Sequence, residues 1–311
     1  MENAKLIISL DCELKWGVFD TLNDSYDENL KGTRTAIKEM LELFKKFDMH
    51  VSWAVVGFLF NENRNDYEKY KPSIMPTYDD SKLNSYNCKI GIDEENDNFH
   101  YAHDIIKLIL SYPNQEIASH SYSHFYCKED GQNAEQFEAD IKSAVCVAKE
   151  KFAIDLKSFV FPKNEINEDY LNILREYGFT HFRSNPQHWI YKKGQKTNIF
   201  GRVLRFIDSF INITGYNSSN AIAISGLIET TGNRFLRPYK NCIILNKLMI
   251  RRIKSEMFVA AKKGEQYHLW WHPHNFGVYT KENLVNLEEI MQYYKILQQR
   301  FNMESTCMKK L

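Results

Sequence analysis

The segment KLIISLDCELKWG, residues 5–17, joins a short apolar run to two carboxylates. The run at 6–10 is too short for an ordinary helix and is typical of a buried strand. Asp11 and Glu13 follow it directly. Parallel α/β sheets carry their functional groups beyond the carboxyl ends of their strands, so this segment predicts both a strand and the edge of a site.

Short apolar runs alternate with longer helical patterns through the rest of the chain. The predicted strands are 5–10, 50–56, 115–119, 157–161, 179–183, 203–207 and 266–271. The predicted helices are 35–47, 99–111, 133–151, 167–177, 246–263 and 280–301. Repeated strand–helix units imply an α/β fold with parallel strands and helical crossovers. Six or seven units can close into a barrel or stay an open doubly wound sheet, and periodicity alone leaves both alternatives open.

Two irregular stretches interrupt this alternation. Residues 60–98 are polar and rich in Asn, Asp and Tyr, and residues 185–245 show little regular pattern. We interpret both as insertions or long loops within a single domain that spans 1–311. Loops at the mouth of such a fold vary while the scaffold stays, so we expect substrate specificity to reside there.

Composition narrows the class of protein. The 311 residues include 40 basic and 40 acidic side chains, a balance that argues against a nucleic-acid-binding protein. No stretch approaches the ~20 apolar residues of a membrane span, and the N-terminal run is too short for a secretory signal. Six cysteines lack CxxC spacing. These features predict a reduced, cytoplasmic protein.

Polar residues follow most of the predicted strands. If the strands are parallel, these side chains project into one mouth. The residues in question, besides the two acids, are His120, His124, Lys163, Asn164, Arg183, Asp208, His272 and His274.

The segment SHSYSHF, residues 119–125, suggests a metal site. His120 and His124 are four residues apart, so one turn or tight loop can aim both imidazoles at one point. Two histidines and one carboxylate form a catalytic metal set with an open position for water, and either Glu13 or Asp11 can supply the carboxylate. An isolated HxxxH is a weak signal, but its place after a strand favours the metal interpretation.

The segment LWWHPHNFG, residues 269–277, supplies a possible proton donor. His272 at the end of a strand, opposite a metal, is placed to protonate a leaving group, although a packing role is the simpler interpretation. Candidate sugar-stacking rings are Trp16, Trp189, Trp270 and Trp271, of which at least two are expected in the core. Cys12 is interpreted as a packing residue rather than a nucleophile.

Taken together, these segments resemble the polysaccharide deacetylase family (NodB homology domain, carbohydrate esterase family 4). The resemblance is carried in order by SLDCE, HSYSH, FVFPKN, a late Asp near 208 and LWWH. It closely resembles a subgroup with SLDxELxWG and WWHPHNFG segments that is often found among surface-polysaccharide biosynthesis proteins. The resemblance implies a deformed (β/α) barrel of about seven strands and a divalent metal, most often Zn²⁺.

The resemblance also implies roles for individual residues. Asp11 would be the catalytic base, and Glu13 would join His120 and His124 as metal ligands. His272 would be the general acid, oriented or charge-stabilised by Asp208. The family has two adjacent acids, whereas this chain has Cys12 between them, so the division of roles between the two carboxylates stays open.

A second departure from the family concerns the residue that contacts the base. The family has Arg after Phe-Pro, and this chain has Lys163. Lysine keeps the charge but loses the bidentate fork, so either Lys163 holds Asp11 as a point charge or Arg183 partly substitutes for it.

The implied activity is hydrolysis of an N-acetyl group on a sugar or glycan of a surface polysaccharide or its precursor. Substrate contacts are expected from Trp16, Asn164, Trp271 and His274. One alternative is a catalytically degenerate scaffold that binds glycan or a partner enzyme. The other is a non-haem iron oxygenase, which uses the same ligand types but is built on a jelly-roll scaffold.

Overall fold

The computed structural model describes residues 3–20, 26–188, 190–191 and 199–311. The strands in these residues are β1 Lys5–Cys12, β2 Val51–Val55, β3 Gln115–Ser119, β4 Ser158–Val160, β5 His181–Ser184, β6 Ile222–Ile224, β7 Leu227–Thr231, β8 Arg234–Phe235, β9 Gln266–Trp271 and β10 Glu304–Thr306. The α-helices are α1 Asp27–Lys46, α2 Arg64–Tyr70, α3 His103–Leu110, α4 Ala134–Phe152, α5 Leu171–Glu176, α6 Ile199–Asp208, α7 Ile243–Lys263 and α8 Thr280–Phe301.

All of these strands form one sheet that curls on itself. Its order is β6-β7-β5-β4-β3-β2-β1-β9-β8, with β10 paired to the start of β1. Every pairing is parallel except that of β6 with β7. β8 is the last strand of this order and β7 is the second, yet only Gly232 and Asn233 separate the two in the chain. The two ends of the sheet therefore meet, and the predicted deformed barrel is confirmed over the open sheet.

Alternate residues of each strand pack into two different cores, one between the sheet and the helices and one inside the barrel. In β1, Leu6, Ile8 and Leu10 face the helices, and Ile7 faces the barrel interior. In β9, Trp271 packs in the outer core while His268, on the other face, reaches Ser9 across the interior. The same alternation turns Asp11 inward.

Two parts of 185–245 differ from the predicted pattern. The strand predicted at 203–207 is wrong, because these residues belong to α6. The run VLRFI has apolar residues at spacings of one, three and four, which fits a helix as well as a short strand. An unpredicted hairpin, β6–β7, turns at Ser225 and Gly226, which have φ values of 51° and 79°. Such positive values are typical of a two-residue hairpin turn.

The barrel floor is closed by the C-terminal segment. Glu116 on β3 accepts hydrogen bonds from Ser52 Oγ and Ser158 Oγ, each 2.6 Å long. The backbone N–H of Lys309 donates to the same carboxylate at 3.2 Å, and that of Met308 donates to Ser52 Oγ at 2.8 Å. Residues 308–310 therefore seal the end of the barrel that lies opposite the carboxyl ends of the strands.

A buried ion cluster fastens α6 and α7 to the barrel. Arg234 on β8 donates to Asp208 at 2.8 Å and to Glu256 at 3.0 Å. Arg252 lies 3.1 Å from Glu256, and all four side chains are buried. Asp208 thus has a structural partner, and the arginine holds its pKa at about 2 against the opposing effect of burial.

The cluster predicts a large stability cost when its centre is removed. Arg234→Met leaves Asp208 and Glu256 as poorly compensated buried anions, which typically costs about 3–5 kcal/mol. Urea unfolding should show this loss, whereas Arg251→Met, at an exposed position of α7, should stay within about 0.5 kcal/mol of the parent. Equal unfolding free energies for the two variants would contradict a central role of Arg234.

Candidate active site

The loops after β1, β3 and β4 hold their backbone in the left-handed region at the mouth of the barrel. The residues concerned have φ between 49° and 60°: Leu14, Ser121, His124, Lys163 and Asn164. A non-glycine residue in this region costs about 1–3 kcal/mol and persists only where surrounding structure enforces it. The mouth is therefore held in a specified shape.

The loop that carries both histidines is fixed by Asp140 of α4. Its buried carboxylate accepts from the backbone N–H groups of Tyr122 and Ser123, at 2.6 and 3.0 Å. Burial raises the pKa of Asp140 to about 6, partly offset by these hydrogen bonds, so the group is ionised at neutral pH. These hydrogen bonds fix the backbone of the loop from which both imidazoles project.

Glu13, His120 and His124 converge on one point. Their ligand atoms lie within 4.8 Å of one another, and all three residues are buried. Glu13 Oε1 is 2.9 Å from His120 Nε2 and 3.2 Å from His124 Nε2. Burial opposes ionisation of Glu13, but His272 and the two imidazoles hold its pKa well below the usual value. The Glu13 carboxylate is therefore an anion that faces two ring nitrogens.

The hydrogen-bonding pattern of these imidazoles fits a cation. His120 Nδ1 is 2.8 Å from the Val160 carbonyl, which can only accept, so Nδ1 carries the hydrogen. In the Nδ1–H tautomer, Nε2 presents a lone pair to another acceptor, Glu13 Oε1. Burial lowers the pKa of His124, and its Nδ1 has no hydrogen-bond partner among the described residues. A divalent cation would resolve the contact between Glu13 Oε1 and the lone pair of His120 Nε2.

Gly17 gives Glu13 the space that it occupies. A Cβ atom at position 17 would lie 1.9 Å from Glu13 Oε2 and 2.6 Å from its Cδ. Sequence reasoning quoted this glycine in LKWG without assigning it a role. The turn Leu14–Gly17 that follows β1 therefore needs glycine at its end to keep the carboxylate in place.

Asp11 is held by Arg183 from β5. The guanidinium donates to both carboxylate oxygens, Nη1 to Oδ1 and Nη2 to Oδ2, each at 2.7 Å. The same arginine donates to Ser9 Oγ and to the Asn164 amide oxygen, and lies 4.4 Å from the Trp270 ring centroid. This bidentate pair fixes the plane of the Asp11 carboxylate.

Lys163 does not take the position expected from the family pattern. Its Nζ lies 3.3 Å from Asp20 and 3.4 Å from Glu129, and 3.6 Å from the ring centroid of Tyr126. The structure favours the alternative in which Arg183 substitutes, because Arg183 donates to both oxygens of Asp11. The basic side chain that contacts Asp11 therefore comes from β5, across the barrel, and not from the loop after β4.

His272 faces both carboxylates from the end of β9. Its Nε2 is 3.9 Å from Asp11 Oδ2 and 3.7 Å from Glu13 Oε2. Asn275 Nδ2 lies 3.4 Å from His272 Nδ1. The side chain is 25% exposed, so it can meet a substrate.

His274 lies behind His272. The two rings stack with centroids 5.1 Å apart and an interplanar angle of 24°. Burial, with the nearby His272, lowers the pKa of His274 to about 3, so it is neutral at ordinary pH. His274 contributes to the wall of the site and adds no charge of its own.

A cavity of about 660 Å³ extends from Glu13 and His272. Its far wall is largely apolar and comes from α6, the segment after β8 and the start of α7. Lining residues on that side include Phe206, Phe210, Phe235, Arg237, Leu245 and Met249.

Several predicted site residues lie elsewhere. Asp208 bonds with Tyr191, Thr214 and Arg234, so its expected role of orienting His272 is not supported. Trp16 is buried and donates to the His100 carbonyl at 2.9 Å, which makes it a core residue.

The remaining expected substrate contacts also change. Trp271 is fully buried and stacks on Phe276, because its side of β9 faces the helices. Trp270, on the other face, lies beside Arg183 and lines a second, smaller cavity. The amide oxygen of Asn164 is engaged by Arg183. Trp189 lies outside the described residues.

Cys12 points away from the site into the outer core. Burial, with the charge of Glu13, raises the pKa of its thiol to about 12, so no thiolate forms at neutral pH. These features support the packing interpretation of Cys12.

Sequence reasoning missed the residues that support Arg183. Ser9 Oγ bonds to both Arg183 and His268 Nε2, each at 2.8 Å. Ser9 lies two residues before Asp11, and His268 four before His272, so the strand period alone aligns them on one face.

Comparison with known proteins identifies relatives of this arrangement. A family model described as polysaccharide deacetylase matches residues 18–182. Comparison with curated proteins gave no match. A Mycobacterium smegmatis protein assigned as a polysaccharide deacetylase is 12% identical with a TM-score of 0.62, over 99% of this chain and 88% of the other.

Two further solved structures are similar. Puue allantoinase is 11% identical with a TM-score of 0.55, over 97% of this chain and 86% of its own. A family 4 carbohydrate esterase from Streptomyces lividans, solved with acetate, is 9% identical with a TM-score of 0.44, over 95% and 90% of the two chains. At these identities, the M. smegmatis and allantoinase structures indicate a shared fold.

The geometry predicts which carboxylate binds the metal. Purified protein should bind about one equivalent of a divalent ion by plasma mass spectrometry, and Glu13→Gln and His120→Ala should lose most of it. Asp11→Asn should retain it, because Arg183 already engages both oxygens. Loss with Asp11→Asn and retention with Glu13→Gln would reverse this assignment.

Proposed function

Because the chain belongs to the polysaccharide deacetylase family, we propose that it is a metal-dependent N-deacetylase acting on a sugar of a surface polysaccharide or of its precursor. The observation that carries this proposal is the set of groups at the mouth. One carboxylate faces two imidazoles, a second is locked by an arginine, and a third imidazole faces both acids. Those are the parts that amide hydrolysis requires.

Glu13, His120 and His124 would hold the metal, and two imidazoles with one carboxylate suit Zn²⁺. When bound, such an ion supplies Lewis-acid polarisation of the amide carbonyl and a water of lowered pKa. The His120 Nδ1–H bond to the Val160 carbonyl orients that ring and fixes its tautomer.

Asp11 acts as the general base in this proposal. Its carboxylate is fixed in plane by Arg183, and each oxygen keeps a second lone pair that can accept a proton from the attacking water. Oδ2 faces the site, since it is the oxygen nearest to His272 Nε2.

His272 acts as the general acid. A proton on Nε2 is directed at the space between the two carboxylates, where an amine leaving group would form. An unprotonated amine anion is a very poor leaving group, so transfer from Nε2 is needed for the bond to break. Acid–base assistance of this kind typically contributes about 10²–10⁴-fold.

The substrate class rests on the cavity and on the state of the cysteines. The cavity beside His272 has both aromatic and polar lining residues, which suits a sugar ring with its hydroxyl groups. All six cysteines are free, which supports a reducing compartment such as the cytoplasm. An N-acetylated sugar on a biosynthetic precursor fits both features.

Two other features bear on the alternatives. Within the residues described, no helix combines the length and apolarity that membrane crossing requires. The departures at Cys12 and Lys163 motivated the inactive-scaffold alternative, and Arg183 makes the contact with Asp11 for which Lys163 was expected. The barrel is also unlike the jelly roll on which the iron-oxygenase alternative rests.

The proposed acid and base predict large kinetic effects. Asp11→Asn and His272→Ala should each lower kcat for acetate release by about 10²–10⁴-fold. The assay should use a panel of N-acetylhexosamine oligosaccharides and nucleotide-linked sugars with zinc-loaded enzyme. Ile296→Asp, an exposed change on α8, serves as control. A loss of less than about tenfold in either variant would refute its role.

Because Arg183 rather than Lys163 contacts Asp11, we expect substitutions of these two residues to lower kcat/KM by unequal amounts. Arg183→Lys removes the bidentate fork and should lower kcat/KM by roughly 10²-fold through misplacement of Asp11. Lys163→Met removes contacts with Asp20, Glu129 and Tyr126, which have no proposed part in the chemistry, and should change kcat/KM by no more than about threefold. A larger loss at Lys163 than at Arg183 would return the contact with the base to Lys163.

A further inference from the structure

One face of α6 exposes apolar side chains to solvent. Val203, Phe206 and Ile207 are 47%, 42% and 36% exposed, and their spacing of three and four residues places them on one face of the helix. Asp208 and Arg205 lie on the protein side, where Arg205 donates to the Ile190 carbonyl at 2.9 Å. A surface helix of a globular protein normally directs its apolar side chains toward the core and its charged side chains toward solvent.

The first turn of α7 continues this surface. Ile243, Ile244 and Leu245 are 63%, 69% and 37% exposed. Leu245 and Phe206 both line the cavity that reaches His272, so the two helices border the same opening. We call the exposed residues of α6 and of this turn the apolar rim: Val203, Phe206, Ile207, Ile243, Ile244 and Leu245.

Positive charge surrounds the apolar rim. Residues 199–255 contain nine Lys and Arg residues but only two acidic ones, although the whole chain is balanced at 40 and 40. Both acidic residues, Asp208 and Glu229, are buried. Arg202, Lys240 and Lys247 are exposed, and the Arg237 guanidinium lies 4.9 Å from the Phe206 ring centroid. The solvent-facing part of this stretch is therefore cationic as well as apolar.

We propose that the apolar rim docks on the surface of an anionic lipid bilayer. Interfacial helices combine exposed Phe, Ile and Leu with Lys and Arg, and bind through apolar burial and attraction to anionic headgroups. A contiguous apolar surface of this kind otherwise stays in contact with water, which is unfavourable. Charge complementarity selects the occupant, because the basic residues that flank the apolar rim match lipid phosphates.

Docking in this way would place the mouth of the cavity against the membrane. The apolar wall formed by Phe206 and Leu245 is continuous from the exposed surface to the side of His272. A sugar carried on a membrane lipid would then reach the site while its lipid stayed in the bilayer. This consequence rests on the proposed function, whereas docking itself does not.

Vesicle co-sedimentation tests the docking. The full chain should bind vesicles of phosphatidylcholine with added phosphatidylglycerol, bind phosphatidylcholine alone at least tenfold more weakly, and lose affinity as salt rises. The double variant Ile243→Asp/Ile244→Asp should weaken binding to the anionic vesicles at least tenfold. Thermal unfolding and metal content should match the parent, since both side chains lie on the surface.

The matched control is Ile296→Asp. Ile296 is 47% exposed, as Val203 is, but lies toward the end of α8 that leads into β10 at the barrel floor. This variant should bind vesicles as the parent does. Parent protein that fails to bind anionic vesicles, or equal binding of the double variant and the parent, would overturn the proposal.

A third result would also overturn it. If the parent is a dimer by light scattering and the double variant is a monomer, the apolar rim is an interface between two copies of the chain. None of these measurements depends on turnover. Failure of acetate release with retained vesicle binding would therefore reject the proposed function alone.

Discussion

The ion pair of Arg183 with Asp11 spans the interior of the barrel from β5 to β1, and the arrangement of the mouth depends on it. The arginine also contacts Ser9, Asn164 and Trp270, so β1, β5, β9 and the loop after β4 all meet at one guanidinium. A buried charge pair is kept only where both partners are well satisfied, since removing either leaves an uncompensated charge. Here each partner has a bidentate contact, and the surrounding polar atoms complete the guanidinium's hydrogen bonds.

Much of the scaffold was predictable from local pattern. The bounds of β3 and β9 were predicted correctly, and the convergence of His120, His124 and Glu13 follows from placing strand ends at one mouth. Local pattern works here because burial on both faces makes parallel strands read as short apolar runs. The strand period also decides which of two adjacent tryptophans faces the interior, and applying it to β9 would have selected Trp270.

What could not be predicted depends on contacts between distant parts of the chain. Arg183 and Asp11 are separated by 172 residues, and no spacing rule relates them. The substitution at Lys163 could be understood only once the barrel placed β5 opposite β1. The helix at 203–207 was missed for a different reason, because VLRFI fits the period of a strand as well as that of a helix. The contact of Asp208 with Arg234 joins two distant segments, so local pattern does not indicate it.

The pairing of β1 has a consequence for the order in which the chain can fold. β1 pairs with β2, β9 and β10, and Lys5 lies opposite both Gln266 and Glu304. At a synthesis rate of about 5–20 residues per second, β1 waits on the order of ten to fifty seconds for β9. Contacts of such long sequence separation are slow to form. The nascent chain therefore carries its histidine loop long before β1 can be held from both sides, and the acids acquire their final positions only as the barrel closes.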